Sequence, residues 1–141
     1  MPAFNRQNAL NVMNNLGLPD DKNFLYAFAS KPLRNEIIWN ILSNTPQLFS
    51  TFFEYPVIMA FTATKLYVHA VGGKHKGETT IFDNSNISSF QIRASVMQTN
   101  IEFFYDGKPF RFWFMADSTG RVAYVSENYR NLNSKGWFDL I

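Results

Sequence analysis

The 141-residue chain contains no cysteine, which excludes disulfide bonds, zinc–thiolate sites and a thiol nucleophile. Charged residues make up only 17% of the sequence, and the formal net charge is +2. Because nucleic-acid binding requires a dense basic surface, this balance predicts no nucleic-acid partner. No apolar run approaches the roughly 20 residues that a membrane-spanning helix needs. The N-terminus also lacks the apolar core of a signal peptide, so we expect a cytoplasmic protein.

Hydrophobic residues, by contrast, are abundant. They make up 46% of the chain, which contains 15 phenylalanines. A chain of this length and apolarity can bury a sizeable core, so we expect a folded domain rather than a disordered segment.

The first third of the sequence has the apolar spacing of helices. Apolar residues from Ala9 to Leu16 recur at intervals of three and four, and Gly17 provides a left-handed stop. We expect a second short helix to begin at Asp20 or Asp21 and a third at Pro32. The second would bury Phe24, Leu25 and Phe28, and the third would bury Leu33, Ile37, Ile38, Ile41 and Leu42.

After Pro46 the apolar spacing changes to two, which is the period of β-strands. The aromatic stretch 47–55 is either a first strand or the last turn of a helix. Further strands are expected at 57–61, 65–71, 78–82 and 87–94. We therefore expect a helical N-terminal segment over residues 1–46, packed on a β domain over residues 47–141.

The sequence TNIEFFYDGKPFRFWFM, residues 99–115, predicts a hairpin. Asp106-Gly107 is the pair that a two-residue type I′ turn requires, because both positions need a positive φ. The register that follows pairs Tyr105 with Lys108, Phe103 with Phe110, Ile101 with Phe112, and Glu102 with Arg111. The aromatic pairs would form a buried ladder with Phe114, and Glu102 and Arg111 a solvated ion pair.

The C-terminal part predicts one amphipathic helix. Val122, Val125, Tyr129 and Leu132 recur at intervals of three and four, and either Asp117 or Ser118 can cap its start. Such a helix after a run of antiparallel strands normally closes one end or face of the sheet.

Three segments resemble bacterial domains of the pleckstrin-homology (PH)-like family. They are VIMAFTATKLYVHAV (57–71), TTIFDNSNISSFQI (79–92) and IEFFYDGKPFRFWF (101–114). The resemblance implies a mostly β fold with α, a PH-like barrel of about seven antiparallel strands in two orthogonal sheets. A C-terminal helix would cap the barrel, and the N-terminal helices would precede it.

The same resemblance implies binding, of phosphoinositide headgroups, peptides or partner proteins. Members that bind lipid carry several cations on the first strand–loop–strand, where they converge on phosphates. Residues 47–61 contain no lysine or arginine, which disfavours lipid headgroups here. Lys65, Lys74 and Lys76 are the residues through which a peripheral contact with anionic lipid would occur.

The glycine-rich stretch AVGGKHKGETTIF, residues 70–82, predicts a turn rather than a phosphate site. A Walker-type cradle leads into a helix, whereas this stretch leads into an alternating strand pattern. Gly72, Gly73 and Gly77 are therefore interpreted as positive-φ residues of a loop, with Lys74, His75 and Lys76 solvated at its tip.

No catalytic set is recognised. The two histidines, His69 and His75, are too few for a three-ligand metal site, and we expect neither a metal nor a cofactor. Nothing in the spacing brings Glu54 and Glu78 together as an acid–base pair, and no G-x-S-x-G motif occurs. We therefore expect a protein that is not an enzyme.

Large aromatics supply the candidate binding residues. Phe104 and Trp113 are predicted on the hairpin face away from the core, covered by the N-terminal helices or open to a partner. Trp137 would dock on its own barrel or on a neighbouring subunit. The function predicted is a binding module that acts through protein–protein contact or self-assembly. The alternative is a barrel that binds a small hydrophobic ligand or lipid.

Overall fold

The structure is a computed structural model that describes residues 4–19, 21–30, 54–96 and 98–141. The elements within these ranges are α1 (Arg6–Asn15), β1 (Phe24–Ser30), β2 (Tyr55–Phe61), β3 (Lys65–Ala70), β4 (Thr79–Asp83), β5 (Ile87–Ala94), β6 (Thr99–Tyr105), β7 (Lys108–Phe114) and α2 (Ala123–Ser134). None of the helices in these ranges is both long and apolar enough to cross a bilayer.

Seven antiparallel strands of the described ranges form one sheet, in the order β4-β3-β2-β1-β7-β6-β5. Strands β1 to β4 form one meander and β5 to β7 a second, and the pairing of β1 with β7 joins them. The fold is therefore mostly β with α, as expected. The hydrogen-bonded strands run through a continuous sheet instead of two separate ones.

The sheet is strongly curled. Three strands lie between β4 and β7, so the two would be about 19 Å apart in a flat sheet. Instead, the ring centroids of Phe82 on β4 and Phe110 on β7 are 5.0 Å apart, and Phe82 meets Phe103 on β6 at 5.2 Å. The backbone N–H of Asp83 donates to the Tyr105 hydroxyl at 3.2 Å. These contacts bring an edge strand over the second meander and enclose the core.

The β6–β7 hairpin has the predicted turn and register. Asp106 and Gly107 have φ values of 50° and 77°. The cross-strand partners are Tyr105 and Lys108, Phe103 and Phe110, Ile101 and Phe112, and Glu102 and Arg111. Glu102 also forms an ion pair with the neighbouring strand, in which its Oε1 lies 3.3 Å from Nε of Arg93 on β5.

Strand β1 corrects the prediction of a second helix from Asp20 or Asp21. Its sequence FLYAFAS has buried residues at consecutive positions, Phe24 and Leu25, because β1 lies in the middle of the sheet and is covered on both faces. A short apolar run of this kind cannot be told from a helix by spacing alone. The sheet therefore begins inside the segment predicted to be helical. The third predicted helix, residues 47–53 and the boundary at 46–47 lie outside the described residues.

Helix α1 is confirmed, together with its end. The Asn5 side chain caps it by accepting from the backbone N–H of Asn8 at 2.8 Å, and Gly17 has a φ of 74°. Ala9 and Met13 are buried, and Phe4 stacks on Tyr26 of β1 with ring centroids 5.2 Å apart. The helix thus covers part of the sheet.

Helix α2 packs across the start of β1. The Asn128 side chain is buried and donates through Nδ2 to the Phe24 carbonyl at 3.0 Å. The Asn131 Nδ2 and the Lys135 Nζ both donate to Oδ1 of Asn23, at 2.9 and 3.0 Å. The prediction that Asp117 or Ser118 caps this helix is wrong, because α2 begins only after a short 3₁₀ turn over Gly120–Val122.

After α2 the chain makes a left-handed turn over Gly136–Asp139, in which all four residues have φ between 54° and 67°. Such a conformation costs roughly 1–2 kcal/mol for each residue other than glycine, so packing must offset it. Trp137 supplies that packing. Its indole has 0% exposure and lies against Phe61, Phe90 and Tyr129.

Candidate functional site

A cleft of about 300 Å³ opens between the two meanders, and it is the candidate functional site. Its lining residues are Ala29, Ser30, Tyr55, Val68, His75, Thr80, Phe82, Pro109, Phe110, Arg111 and Phe112. We call this site the cleft. The lining residues belong to strands β1, β2, β3, β4 and β7 and to the β3–β4 loop, so each of these elements forms part of the wall.

The cleft lies at the end of the curled sheet opposite Trp137. Strand β2 runs from Tyr55, which lines the cleft, to Phe61, which contacts Trp137. Six residue steps in a strand span about 20 Å. Trp137 and α2 therefore fill one end of the core, and the cleft lies at the other end of the described sheet.

The floor of the cleft is apolar. Phe82, Phe112 and Val68 are almost fully buried, and Phe110 is half-buried at the wall. The Phe82 ring is held edge-on against Phe103 and Phe110 at 5.2 and 5.0 Å. A floor fixed by several ring contacts is rigid, so it presents a preformed apolar surface.

The rim of the cleft is polar on the side of the β3–β4 loop. Nδ1 of His75 lies 2.7 Å from Oε2 of Glu78, and the His75 ring is tilted over Tyr55 with centroids 4.9 Å apart. Burial, with Glu78 as the smaller cause, raises the pKa of the Tyr55 hydroxyl. Tyr55 therefore stays neutral and can donate a hydrogen bond at the rim.

Ser30 and Arg111 form the rim on the opposite side. They are cross-strand partners in the pairing of β1 with β7. The Ser30 Oγ is buried, and no hydrogen-bond partner for it exists among the residues that the structure describes. Arg111 is half-buried and alternates with Phe110 and Phe112 along β7, so its side chain leaves the strand on the face of Trp113.

The β3–β4 loop is a turn, as its sequence predicts. It leads from β3 into β4, so it offers no helix N-terminus to an anion. Gly73 and Gly77 have φ values of 74° and 92°, in agreement with the prediction. The prediction of a positive φ at Gly72 is wrong, and glycine is required there because a Cβ would lie 2.7 Å from Cγ of Pro56.

The three candidate lysines do not converge. Lys74 and Lys76 lie exposed on the β3–β4 loop, whereas Lys65 is the first residue of β3 and lies at its other end. Five residue steps of β3 separate Lys65 from the start of that loop, which is about 17 Å. A single phosphate cannot be held by Lys65 together with the loop lysines.

The predicted aromatic binding residues lie in different environments. Trp113 is half-buried and stacks on Phe28 of β1, with ring centroids 4.4 Å apart. Phe104 is half-buried beside its cross-strand partner Pro109. Trp137 docks on its own sheet, so its indole offers no surface to another molecule. The predicted cover of Phe104 and Trp113 by helices between residues 31 and 46 involves residues that lie outside the described ranges.

His69 lies outside the cleft, where its Nδ1 hydrogen-bonds with the Thr79 hydroxyl at 2.7 Å. Burial lowers the pKa of the His69 imidazole. The described residues contain no group of three or more side chains suited to hold a metal.

The lowered pKa of His69 predicts a pH dependence of stability. As the pH falls below about 6.5, the unfolded chain takes up the proton before the folded one. The free energy of unfolding should therefore decrease through that range. His69→Gln should remove this contribution, as measured by urea midpoints above and below that pH. An unchanged pH dependence in the variant would assign the effect to another group.

Most residues of the cleft escaped the sequence analysis. Ser30 and Arg111 are distant in sequence, and only the pairing of β1 with β7 brings them together. The contact of His75 with Glu78 spans three residues of a loop, which is the one local signal that could have been used. No protein-family model matches the chain, and comparison with curated proteins finds no match either.

Proposed function

We propose that the protein is a non-catalytic binding protein that holds a small, largely apolar molecule in the cleft. The observation that carries this proposal is an open cavity of about 300 Å³ with an apolar floor and a polar rim. Pockets for small molecules have this composition and begin at about this volume. They also occur at the mouths of curled and closed sheets, which is where the cleft lies.

We further infer that the curled sheet belongs to a PH-like barrel. The order of the strands supports this, since a meander of four is joined to a meander of three through β1 and β7. Only residues Asn84–Asn86 separate the edge strands β4 and β5, so the two edges lie close at one corner. A C-terminal helix closes one end, which agrees with the resemblance in sequence.

Protein–protein contact or self-assembly is the second candidate function. The stacked pair of Phe28 and Trp113 is half-buried on the face opposite the core and supports this candidate. Ile81 on the edge strand β4 is 49% exposed, and an edge strand can pair with another chain. A peripheral contact with anionic lipid through Lys65, Lys74 and Lys76 is disfavoured, because the length of β3 separates Lys65 from the two lysines of the β3–β4 loop.

Binding in the cleft is tested with a panel of phenylalkyl compounds that carry acid, amide or alcohol heads. At least one member should raise the melting temperature of the protein, because a ligand that binds only the folded state stabilises it. Thr80→Trp should weaken binding about tenfold or more, since Thr80 lines the cleft and an indole there would fill it.

Ile81→Trp is the matched control. Ile81 follows Thr80 on the same strand but points to the opposite face and does not line the cleft, so binding should be retained. Light scattering of the same samples measures the mass. If no compound shifts the melting temperature and the protein forms dimers or larger species, protein–protein contact replaces the cleft as the function.

A further inference from the structure

We propose that the ligand of the cleft carries an uncharged hydroxyl group, which reaches a polar side pocket and is held there by Tyr55 and Glu78. This inference rests on the proposed function, because it names the polar group of the molecule that the same cleft accepts. It follows from the direction of the side chains, from the shape of the cavity and from the charge at its polar end.

The polar end of the cleft lies on the same face of the sheet as the floor. Tyr55 pairs with Ala29 across β1 and β2, and Ala29 pairs with Phe112 of the floor. Directly paired residues project to one face of a sheet, so the side chain of Tyr55 lies on the face of Phe112. On the other wall Thr80 pairs with Val68, which is also a floor residue. Both hydroxyl-bearing side chains therefore project to the inside of the curled sheet.

A side pocket of about 60 Å³ adjoins the cleft. The two cavities share the lining residues Tyr55, Val68, His75 and Thr80, whereas Glu78 lines only the side pocket. A water molecule occupies about 30 Å³ in the liquid, so the side pocket holds about two groups of that size. This space suits a hydroxymethyl group, while the larger cleft holds the apolar body of the ligand.

The charge at the polar end favours a head group that is not an anion. Glu78 is the one acid among the described residues that line either cavity, and it would repel a carboxylate. Oε2 of Glu78 lies 2.7 Å from Nδ1 of His75, so a cationic ligand would have to compete with His75 for this carboxylate. A hydroxyl needs only one of the remaining acceptor positions of Glu78, because a carboxylate has about four.

Tyr55 and Glu78 offer complementary partners to a hydroxyl. Burial, and to a smaller extent the charge of Glu78, raises the pKa of the Tyr55 hydroxyl, so this group keeps its proton and lies within electrostatic reach of the carboxylate. A ligand hydroxyl between the two side chains accepts from Tyr55 and donates to Glu78. The bond to Glu78 is the stronger of the two, since its acceptor is charged.

The test measures binding of 3-phenylpropan-1-ol by titration calorimetry, beside two compounds with the same phenylpropyl body. In 3-phenylpropanoate the head group is a carboxylate, and in the methyl ether of the alcohol the oxygen can accept but cannot donate. The alcohol should bind at least about tenfold more tightly than the acid, which Glu78 repels. It should bind about three- to tenfold more tightly than the ether, which lacks the hydrogen bond to Glu78.

Two variants test the two partners separately. Tyr55→Phe keeps the ring and removes the hydroxyl, so the affinity for the alcohol should fall about three- to tenfold. Glu78→Gln removes the charge, so the alcohol should weaken several-fold while the acid gains affinity. Tyr67→Phe and Asp117→Asn are the matched controls. Both residues lie outside the two cavities, so neither substitution should change the affinity for the alcohol or the acid.

The outcomes separate the two proposals. Equal affinity for alcohol and acid overturns the hydroxyl head group and leaves the cleft as a binding site for apolar molecules. Tighter binding of 3-phenylpropylamine than of the alcohol overturns it in favour of a cation. Loss of binding for every compound overturns both proposals. If Tyr55→Phe does not fold, Glu78→Gln decides: an unchanged ratio of alcohol to acid affinity in that variant removes the head group from Glu78.

Discussion

Replacing Trp137 with alanine should lower the free energy of unfolding by about 3–5 kcal/mol, which is the usual cost of removing a buried tryptophan. The indole has 0% exposure and contacts Phe61 of β2, Phe90 of β5 and Tyr129 of α2. Alanine would leave a cavity at the end of the core where three separate elements meet. It would also remove the packing that holds a left-handed backbone in place, since Trp137 has a φ of 54°.

Urea unfolding followed by circular dichroism measures this loss. Trp137→Phe keeps an aromatic ring at the site and should cost only about 1–2 kcal/mol. The substitution also removes the hydrogen bond that the indole N–H donates to Oδ1 of Asn133. Because Asn133 is exposed, a water molecule can donate to that oxygen instead. Ile141→Ala, at a residue with 69% exposure, should change stability by less than about 0.5 kcal/mol. A Trp137→Ala variant as stable as the wild type would contradict the burial of the indole.

Replacing Gly73 with alanine should lower the free energy of unfolding by roughly 2–5 kcal/mol, through two additive causes. Its φ of 74° is strained for any residue with a Cβ, at about 1–2 kcal/mol. A Cβ there would also lie 2.9 Å from Cβ of Tyr55, closer than two non-bonded carbon atoms normally approach. Because Tyr55 lines the cleft, the displacement should also weaken ligand binding.

Gly77→Ala is the matched control for this prediction. Gly77 lies in the same loop with a φ of 92°, but an added Cβ meets no atom within 4 Å. It therefore tests backbone strain without the contact, and should cost about 1–2 kcal/mol with ligand binding retained. Equal losses in the two variants, by urea unfolding and by calorimetry, would show that the contact with Tyr55 does not matter.

The parts of the fold that depend only on residues close together in the sequence could be predicted from it. Asp106-Gly107 permits a type I′ turn, and this turn alone sets the register of β6 and β7. The stop of α1 at Gly17 and the turn between β3 and β4 follow from local backbone preferences in the same way. Strand β1 could not be predicted, because its apolar run reflects burial on both faces, which depends on β2, β7 and the helices.

The alternation of strands β2 to β7, the hairpin register and the amphipathic C-terminal helix could all be derived from short segments, since they follow from local spacing and backbone preference. Long-range packing, by contrast, makes the sheet curl until Phe82 meets Phe110, places Trp137 at one end of the core, and leaves the cleft between β4 and β7 near the other. These features depend on contacts between segments far apart in the chain, and no local pattern encodes the partners of such contacts.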